Sequence, residues 1–292
     1  MRVSLARNPS TPKEILQRFA KSRNQELLVA VAGNPSTPEQ ILKNMSKDPD
    51  LEIVGSVASN PSLPREIIME LAKDFYTHVA MNLSAPPDVL IQIANDKEIN
   101  QLFEDSGDFE LDILYPVVAV AANSSAPPDL LRNLSSLGRV DVAEALARNP
   151  STPLELLQGW AKGDSLELKR KVAGNRAAPI EFLRECASSE EVGLRAEVAG
   201  NLSIPVEILC EFADSEDQAI QVNLASNPAT PAEVLIKLAI KDSEFVQVAA
   251  YANPSAPLEL IQRGAVHQSE WIRASVAGNP STPIEILQRL AR

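Results

Sequence analysis

The sequence predicts an all-α solenoid of about eleven repeats from three observations: a fixed spacing of asparagines, the confinement of proline, and apolar residues at helical spacing. Asn is followed four residues later by Pro at Asn8, Asn34, Asn60, Asn82, Asn123, Asn149, Asn175, Asn201, Asn227, Asn253 and Asn279, and eight of the ten intervals are 26 residues. A period of that size marks stacked supersecondary units, each burying its apolar face only against its neighbours. The 292 residues are therefore read as a single repeat domain, 1–292.

Each repeat opens on a loop that leads into a helix. In Asn149-Pro-Ser-Thr-Pro-Leu-Glu, Thr152 stands where an N-cap belongs, Pro153 at the first helical position, and Glu155 where a capping-box carboxylate reaches back. The arrangement recurs at Thr11, Thr37, Thr230 and Thr282. The anchoring Asn is read as structural: its amide bonds to turn backbone and stacks on the equivalent Asn above and below.

Two apolar stripes follow. Ile15, Leu16, Phe19 and Ala20, like Ile286, Leu287, Leu290 and Ala291, make one face of a helix of about three turns. After a polar link, Leu168 with Val172 and Ala173, and Ile272 with Val276 and Ala277, suit a second segment of about seven or eight residues, a short α or 3₁₀ helix. It ends at Gly174, Gly200 or Gly278, which predicts a left-handed exit. Of 22 prolines only Pro49 and Pro116 lie outside the loop and the start of the first helix, so both layers stay unbroken.

The repeats reading Val-Ala-Gly-Asn-Pro-Ser-Thr-Pro-x-Glu-Ile-Leu, from Val276 to Leu287 and nearly so from Val31 to Leu42, resemble the leucine-rich repeat variant family over essentially Leu5 to Arg292. The resemblance implies a right-handed superhelix of alternating α and 3₁₀ helices. One member of that family carries an iron–sulfur segment with clustered cysteines; this chain has no such cluster, so no cofactor is expected, and the resemblance implies no catalytic residues.

The period fails in two adjacent places. The interval from Asn60 to Asn82 is 22 residues and that from Asn82 to Asn123 is 41. The longer one holds an acidic insertion at about 97–114, in which carboxylates alternate with Phe103 and Phe109. It reads either as a partner-binding loop or as a tolerated excursion. Its carboxylates raise calcium as a third reading, but their spacing departs from the EF-hand pattern, and no metal site is assigned.

Three surface features are candidates for binding. Six residues before the anchor come Lys169, Arg195, Gln221, Gln247 and Arg273, a polar, locally basic ladder that reads either as a solvated face or as a dock for an acidic peptide. Eight before it, where half of the repeats are acidic, Phe245 and Trp271 stand in consecutive repeats, with Tyr251 replacing the usual Ala nearby. In a chain only 4% aromatic, exposed rings are expected to anchor a partner, whereas burial under the inter-repeat link would make them structural. The small residues of the second segment place its surface on the concave wall, where partners dock.

Composition narrows the function. A net charge of −12 opposes phosphate backbones and argues against general nucleic-acid binding. No stretch approaches the roughly 20 apolar residues of a membrane span, and a start already inside a repeat leads to an expected cytoplasmic location. Cys186 and Cys210 are expected to be buried core thiols. His78 and His267 lie in different repeats, and no Walker loop, dinucleotide fingerprint or nucleophile elbow is present. The leading expectation is a non-enzymatic scaffold for a protein or peptide. The runner-up is a helical-repeat enzyme or modification factor acting on a bound cofactor or nucleobase, which would need a deep pocket of titratable groups near His78 or the insertion. The last helix keeps the full internal pattern, which adds end-to-end self-association as an expectation.

Overall fold

The computed structural model describes residues 2–96 and 115–290. Among them are twenty-two α-helices, one short 3₁₀ helix at Phe212–Asp214, and no strand. Two compact units divide the chain, Met1–Pro153 and Leu154–Arg292, and each is a run of two-helix repeats. A leading helix follows the proline and a trailing helix precedes the next asparagine, as in Glu39–Met45 with Leu51–Ala58, or Ala232–Leu238 with Glu244–Ala252. The acidic insertion, with Phe103 and Phe109, lies outside the described residues.

Trailing helices pack directly on one another, Gln25–Gly33 on Leu51–Ala58 and Val192–Gly200 on Gln218–Ser226, whereas a leading helix packs chiefly on the trailing helix beside it. The cause is side-chain size. The position two residues before the anchor is a wholly buried alanine at Ala32, Ala58, Ala80 and Ala121, and again at Ala173, Ala199 and Ala225, so neighbouring backbones approach closely. Leading helices instead bury a branched residue, such as Leu16, Leu42, Leu183 and Leu209.

The second segment is α-helical throughout the described repeats, and the single 3₁₀ turn lies at the end of a leading helix. Trailing helices are typically nine residues and leading ones seven, reversing the expected lengths. The exit is also different from expectation. Among the described residues only Gly138 has positive φ, at 68°, and the chain leaves most trailing helices through the Asn in extended backbone, with φ −79° and ψ 127° at Asn175 and φ −72° and ψ 123° at Asn279; Leu51–Ala58 ends instead on Ser59 in helical backbone. An extended residue suffices because the Asn side chain, rather than a left-handed glycine, satisfies the loop.

That side chain builds a ladder. The amide of Asn34 donates to the carbonyls of Ala6 and Asn8 at 2.6 and 2.8 Å, and its Oδ1 accepts the Ser36 N–H at 2.7 Å. Asn60, Asn82, Asn123 and Asn149 repeat the pattern in the first unit, and Asn201, Asn227, Asn253 and Asn279 in the second. Each Asn thus reaches its predecessor's main chain through hydrogen bonds. The ladder passes unchanged through both irregular intervals; in the shorter one it is the trailing helix, Tyr76–Met81, that is reduced to six residues, while the asparagine bonds keep their pattern.

The remaining loop residues have equally local reasons. Ser36 and Ser62 donate to the carbonyls of Pro9 and Pro35 one repeat earlier, and Ser255 to Pro228. The threonines are not N-caps. Thr37, Thr152, Thr230 and Thr282 donate, each at 2.6 Å, to carbonyls of Val31, Leu146, Leu224 and Val276 at the end of the trailing helix. They therefore finish the preceding helix, and the proline takes the cap position of the next without any side-chain bond. Side-chain caps occur on trailing helices instead: Asn24 accepts from Leu27 N, Asp50 from Glu52 N, and Asp217 from Ala219 N.

Candidate docking site

The most pronounced departure from the repeat lies in the second unit, along the edge formed by the turns between leading and trailing helices. Thirteen residues after the anchor the chain carries Lys21, Lys47, Lys73, Asn95, Ser136, Lys162, Ser188 and Asp214, all polar, then Ile240 and Val266. Eighteen after it, in the regular repeats, come Glu26, Glu52, Asp141, Glu167, Gly193 and Ala219, then Phe245 and Trp271. These four apolar residues flank two consecutive turns and are all open to solvent: Ile240 is 65% exposed, Phe245 73%, Val266 69% and Trp271 64%. Exposed large hydrophobics grouped on one edge carry a cost in solubility and mark contact surfaces.

Tyr251 is not part of that exposed set. It is 2% exposed, and its ring fills the place that a large residue occupies in every other repeat. Eleven residues after the anchor stand Phe19, Met45, Leu71, Cys186 and Leu238, but Gly264 in this repeat. A Cβ on Gly264 would lie 2.5 Å from Tyr251 Cδ1 and 2.6 Å from Val276 Cγ2. The unusual tyrosine and the unusual glycine are therefore one exchange of volume between adjacent repeats.

The basic ladder proves to be a set of props. Arg195 donates to the Ser189 carbonyl, Gln221 to Ser215 at 2.7 Å, Gln247 to Lys241 at 2.6 Å, and Arg273 to His267 and Gln268 at 2.7 and 2.8 Å. Each long side chain curls back to hold a carbonyl of its own inter-helix turn, which commits Arg195 and Arg273 to structure. Lys169 makes no such bond; it is half-buried near Cys186.

A cleft of about 510 Å³ opens between the two turns, lined by Ile240, Arg263, Val266, His267 and Gln268, with Tyr251 also contributing. The ring of His267 lies 6.1 Å from that of Tyr251, and its Nδ1 accepts the Ser269 N–H at 3.1 Å, which leaves Nε2 as the ring's donor. The Ser269 hydroxyl donates to Glu244 at 2.5 Å. One repeat earlier the equivalent edge is closed by an ion pair, Lys237 to Asp214. The hydrogen bond and charge of Lys237 hold the Asp214 carboxyl below its usual range.

Among the described residues no three His, Cys, Asp or Glu side chains gather as a metal site. His78, in the first unit, lies edge-on to Phe75 at 6.0 Å, and a Cβ on Gly55 would sit 2.8 Å from its Nε2. Its ring keeps an exposed side, and loss of hydration over Gly55 lowers its pKa. Cys186 is buried as expected, but Cys210 is exposed. It directly follows the buried Leu209, at a position that faces outward and where other repeats carry Gln17, Lys43 and Arg184. No helix among the described residues is long and apolar enough to cross a membrane.

No protein-family model and no curated protein matches the chain. Among solved structures it is similar to a leucine-rich repeat variant with a novel repetitive structural motif, at 18% identity over 89% of this chain and 88% of that one, with a TM-score of 0.36. It is also similar to a designed armadillo repeat protein, at 15% identity over 94% of this chain and 100% of that one, with a TM-score of 0.19. Both are repeat proteins by description, and the helix pairs and asparagine ladder described above establish the repeat fold of this chain independently.

The sequence pointed to Phe245 and Trp271 and missed Ile240, Arg263, Val266 and His267. Register was the available signal: aligning the turns at 26 residues shows lysine and aspartate replaced by Ile240 and Val266.

Proposed function

We propose that the protein is a non-enzymatic repeat scaffold that docks a protein or peptide on the Ile240, Phe245, Val266 and Trp271 edge. One observation carries the reading: two consecutive repeats expose large apolar side chains where the repeat otherwise places polar or small ones. Exposed aromatics bring large contact area with few rotatable bonds, which is why they anchor interfaces. The repeat backbone beneath them is tied by the asparagine ladder and by the turn-holding side chains of Gln247 and Arg273. Such an edge is presented on an already ordered backbone, which lowers the ordering cost of binding to that of the side chains.

Selection of binders from a displayed random peptide library, followed by cross-linking, tests this. Selected peptides should map to residues 239–245 and 265–271, and the double variant Phe245→Glu, Trp271→Glu should weaken them at least about tenfold, as removal of two interface anchors implies. Peptides that map elsewhere and ignore the double variant would refute the reading.

A further inference from the structure

We infer that the cleft between the two turns takes the carboxylate of an apolar residue, as at the C-terminus of a partner peptide; this rests on the docking reading above. The repeat itself supplies the argument. Lys237 and Arg263 occupy the same position in consecutive repeats, ten residues after Asn227 and Asn253. Asp214 and Ile240 likewise occupy the same position, thirteen after Asn201 and Asn227. In the earlier pair of repeats the cation meets its carboxylate, Lys237 on Asp214. In the later pair the cation remains and the carboxylate is replaced by isoleucine. Arg263 and Ile240 line the same cleft, and among the described residues Arg263 has no carboxylate within ion-pair distance. The repeat thus presents half of an ion pair, with its place for an anion open to solvent.

The surroundings choose among anions. Arg263 offers a planar fork matched to a carboxylate, and Nε2 of His267, left as a donor by the Ser269 N–H on Nδ1, offers one further hydrogen bond. Glu244, which holds Ser269, and Glu270 border the same turns. They oppose a dianion more than a monoanion. Ile240 and Val266, both exposed beside the cation, give an aliphatic side chain somewhere to lie. A single negative charge next to an apolar group fits this set; a phosphoryl group carries more charge and no apolar surface.

The test titrates the isotope-labelled full chain with N-acetyl-leucine, N-acetyl-leucinamide and inorganic phosphate to about 20 mM, enough to saturate a site with a Kd of a few mM, and follows amide resonances. N-acetyl-leucine should shift Tyr251, Gly264, Val266 and His267 and bind about fivefold more tightly than its amide, the worth of a part-exposed ion pair. Arg263→Gln should erase that ratio and leave binding of the amide. Ile240→Asp, which restores the carboxylate that Asp214 supplies one repeat earlier, should block N-acetyl-leucine; both positions are exposed, and dispersion of the spectrum checks the fold. Equal binding of acid and amide on this edge overturns the carboxylate inference and leaves the docking reading standing. Tighter binding of phosphate overturns it in favour of a phosphoryl ligand, and absence of shifts at this edge with all three probes overturns both readings.

Discussion

Truncating one rung of the asparagine ladder measures how much of the fold depends on it. Asn60 is wholly buried; its amide donates to the carbonyls of Ala32 and Asn34 at 2.6 and 2.9 Å, and its Oδ1 accepts from Ser62 N at 2.8 Å. In Asn60→Ala the Ala32 carbonyl, in the last turn of Gln25–Gly33, loses its partner at a cost of about 1–3 kcal/mol. The Asn34 carbonyl keeps the Thr37 N–H at 3.0 Å, and the Ser62 N–H is only part-buried. These two losses add about 0.5–1 kcal/mol each. The expected total is about 2–5 kcal/mol, a large share of a typical domain's stability. Asn8 is the internal control: it is exposed, and its side chain accepts only from Ser10 N, at 2.8 Å, so Asn8→Ala should cost about 1 kcal/mol or less. Urea unfolding followed by far-ultraviolet circular dichroism gives both values. If the two variants differ by under about 0.5 kcal/mol, within ordinary surface effects, the ladder does not hold the repeats together. Asn60→Asp sharpens the test by turning a donor into an acceptor facing two carbonyls. Its folded pKa should rise above the unfolded value near 3.9. The deficit relative to the parent should therefore be full at neutral pH and shrink as pH falls through the folded pKa toward the unfolded one.

Thr37→Val should cost about 1–2 kcal/mol and speed hydrogen exchange at the end of Gln25–Gly33, because the lost bond is to Val31; exchange altered only in Glu39–Met45 would restore the capping role read from sequence. A thiol reagent should modify Cys210 quickly in the native protein and Cys186 only on unfolding, since Cys210 is exposed and Cys186 is buried. Burial, with the charge of Glu185, pushes the Cys186 thiol from 9.0 to about 11. The folded chain then holds a proton that the unfolded chain has released, so stability is level below pH 9.0 and falls as pH rises toward about 11; Cys186→Ala should remove that part of the decline in denaturation midpoints. Tyr251→Ala should cost about 3 kcal/mol and Gly264→Leu at least 1–3 kcal/mol by overpacking, yet the double variant restores the pair found in other repeats and should recover at least about 1 kcal/mol over the sum.

Much of the fold was legible because repetition isolates causes. Proline at a fixed offset, a leucine eight residues after the anchor, and alanine two before it are each explained by one local fact, a helix start or a buried contact. The errors arose where two local explanations fit one residue. Thr37 next to a proline satisfies the sequence pattern of an N-cap, and only the 2.6 Å bond to Val31 shows that it serves the helix behind it. Gly174 before Asn175 satisfies the pattern of a left-handed exit, but Asn side chains stabilise the turn and leave the glycine helical. The lysine and arginine ladder looked like a solvated charge pattern, and the presence of Gln221 and Gln247 at the same positions was the clue to its role. Arg195, Gln221, Gln247 and Arg273 share a long side chain with an N–H at its end, and only the reach to a turn carbonyl requires that; charge does not.

A distinction between two kinds of departure follows from the C-terminal repeats. Tyr251 breaks the alanine rule of the trailing helix, and Gly264 breaks the large-residue rule of the leading helix, but the two breaks cancel in the same volume. Selection for packing alone produces such pairs, because neither change survives without the other. Ile240 stands where, one repeat earlier, Asp214 meets Lys237, and nothing in the neighbouring repeat compensates, since Arg263 keeps its charge and Val266 repeats the exposed aliphatic residue. Phe245 and Trp271 are likewise uncompensated, solvent-exposed at positions where smaller or charged residues would be more soluble. In a chain whose repeats define what each position normally requires, a departure repaired inside the core reports on folding. A departure left open at the surface has no such account in the folding of the chain, and Ile240, Phe245, Val266 and Trp271 fall on a single edge.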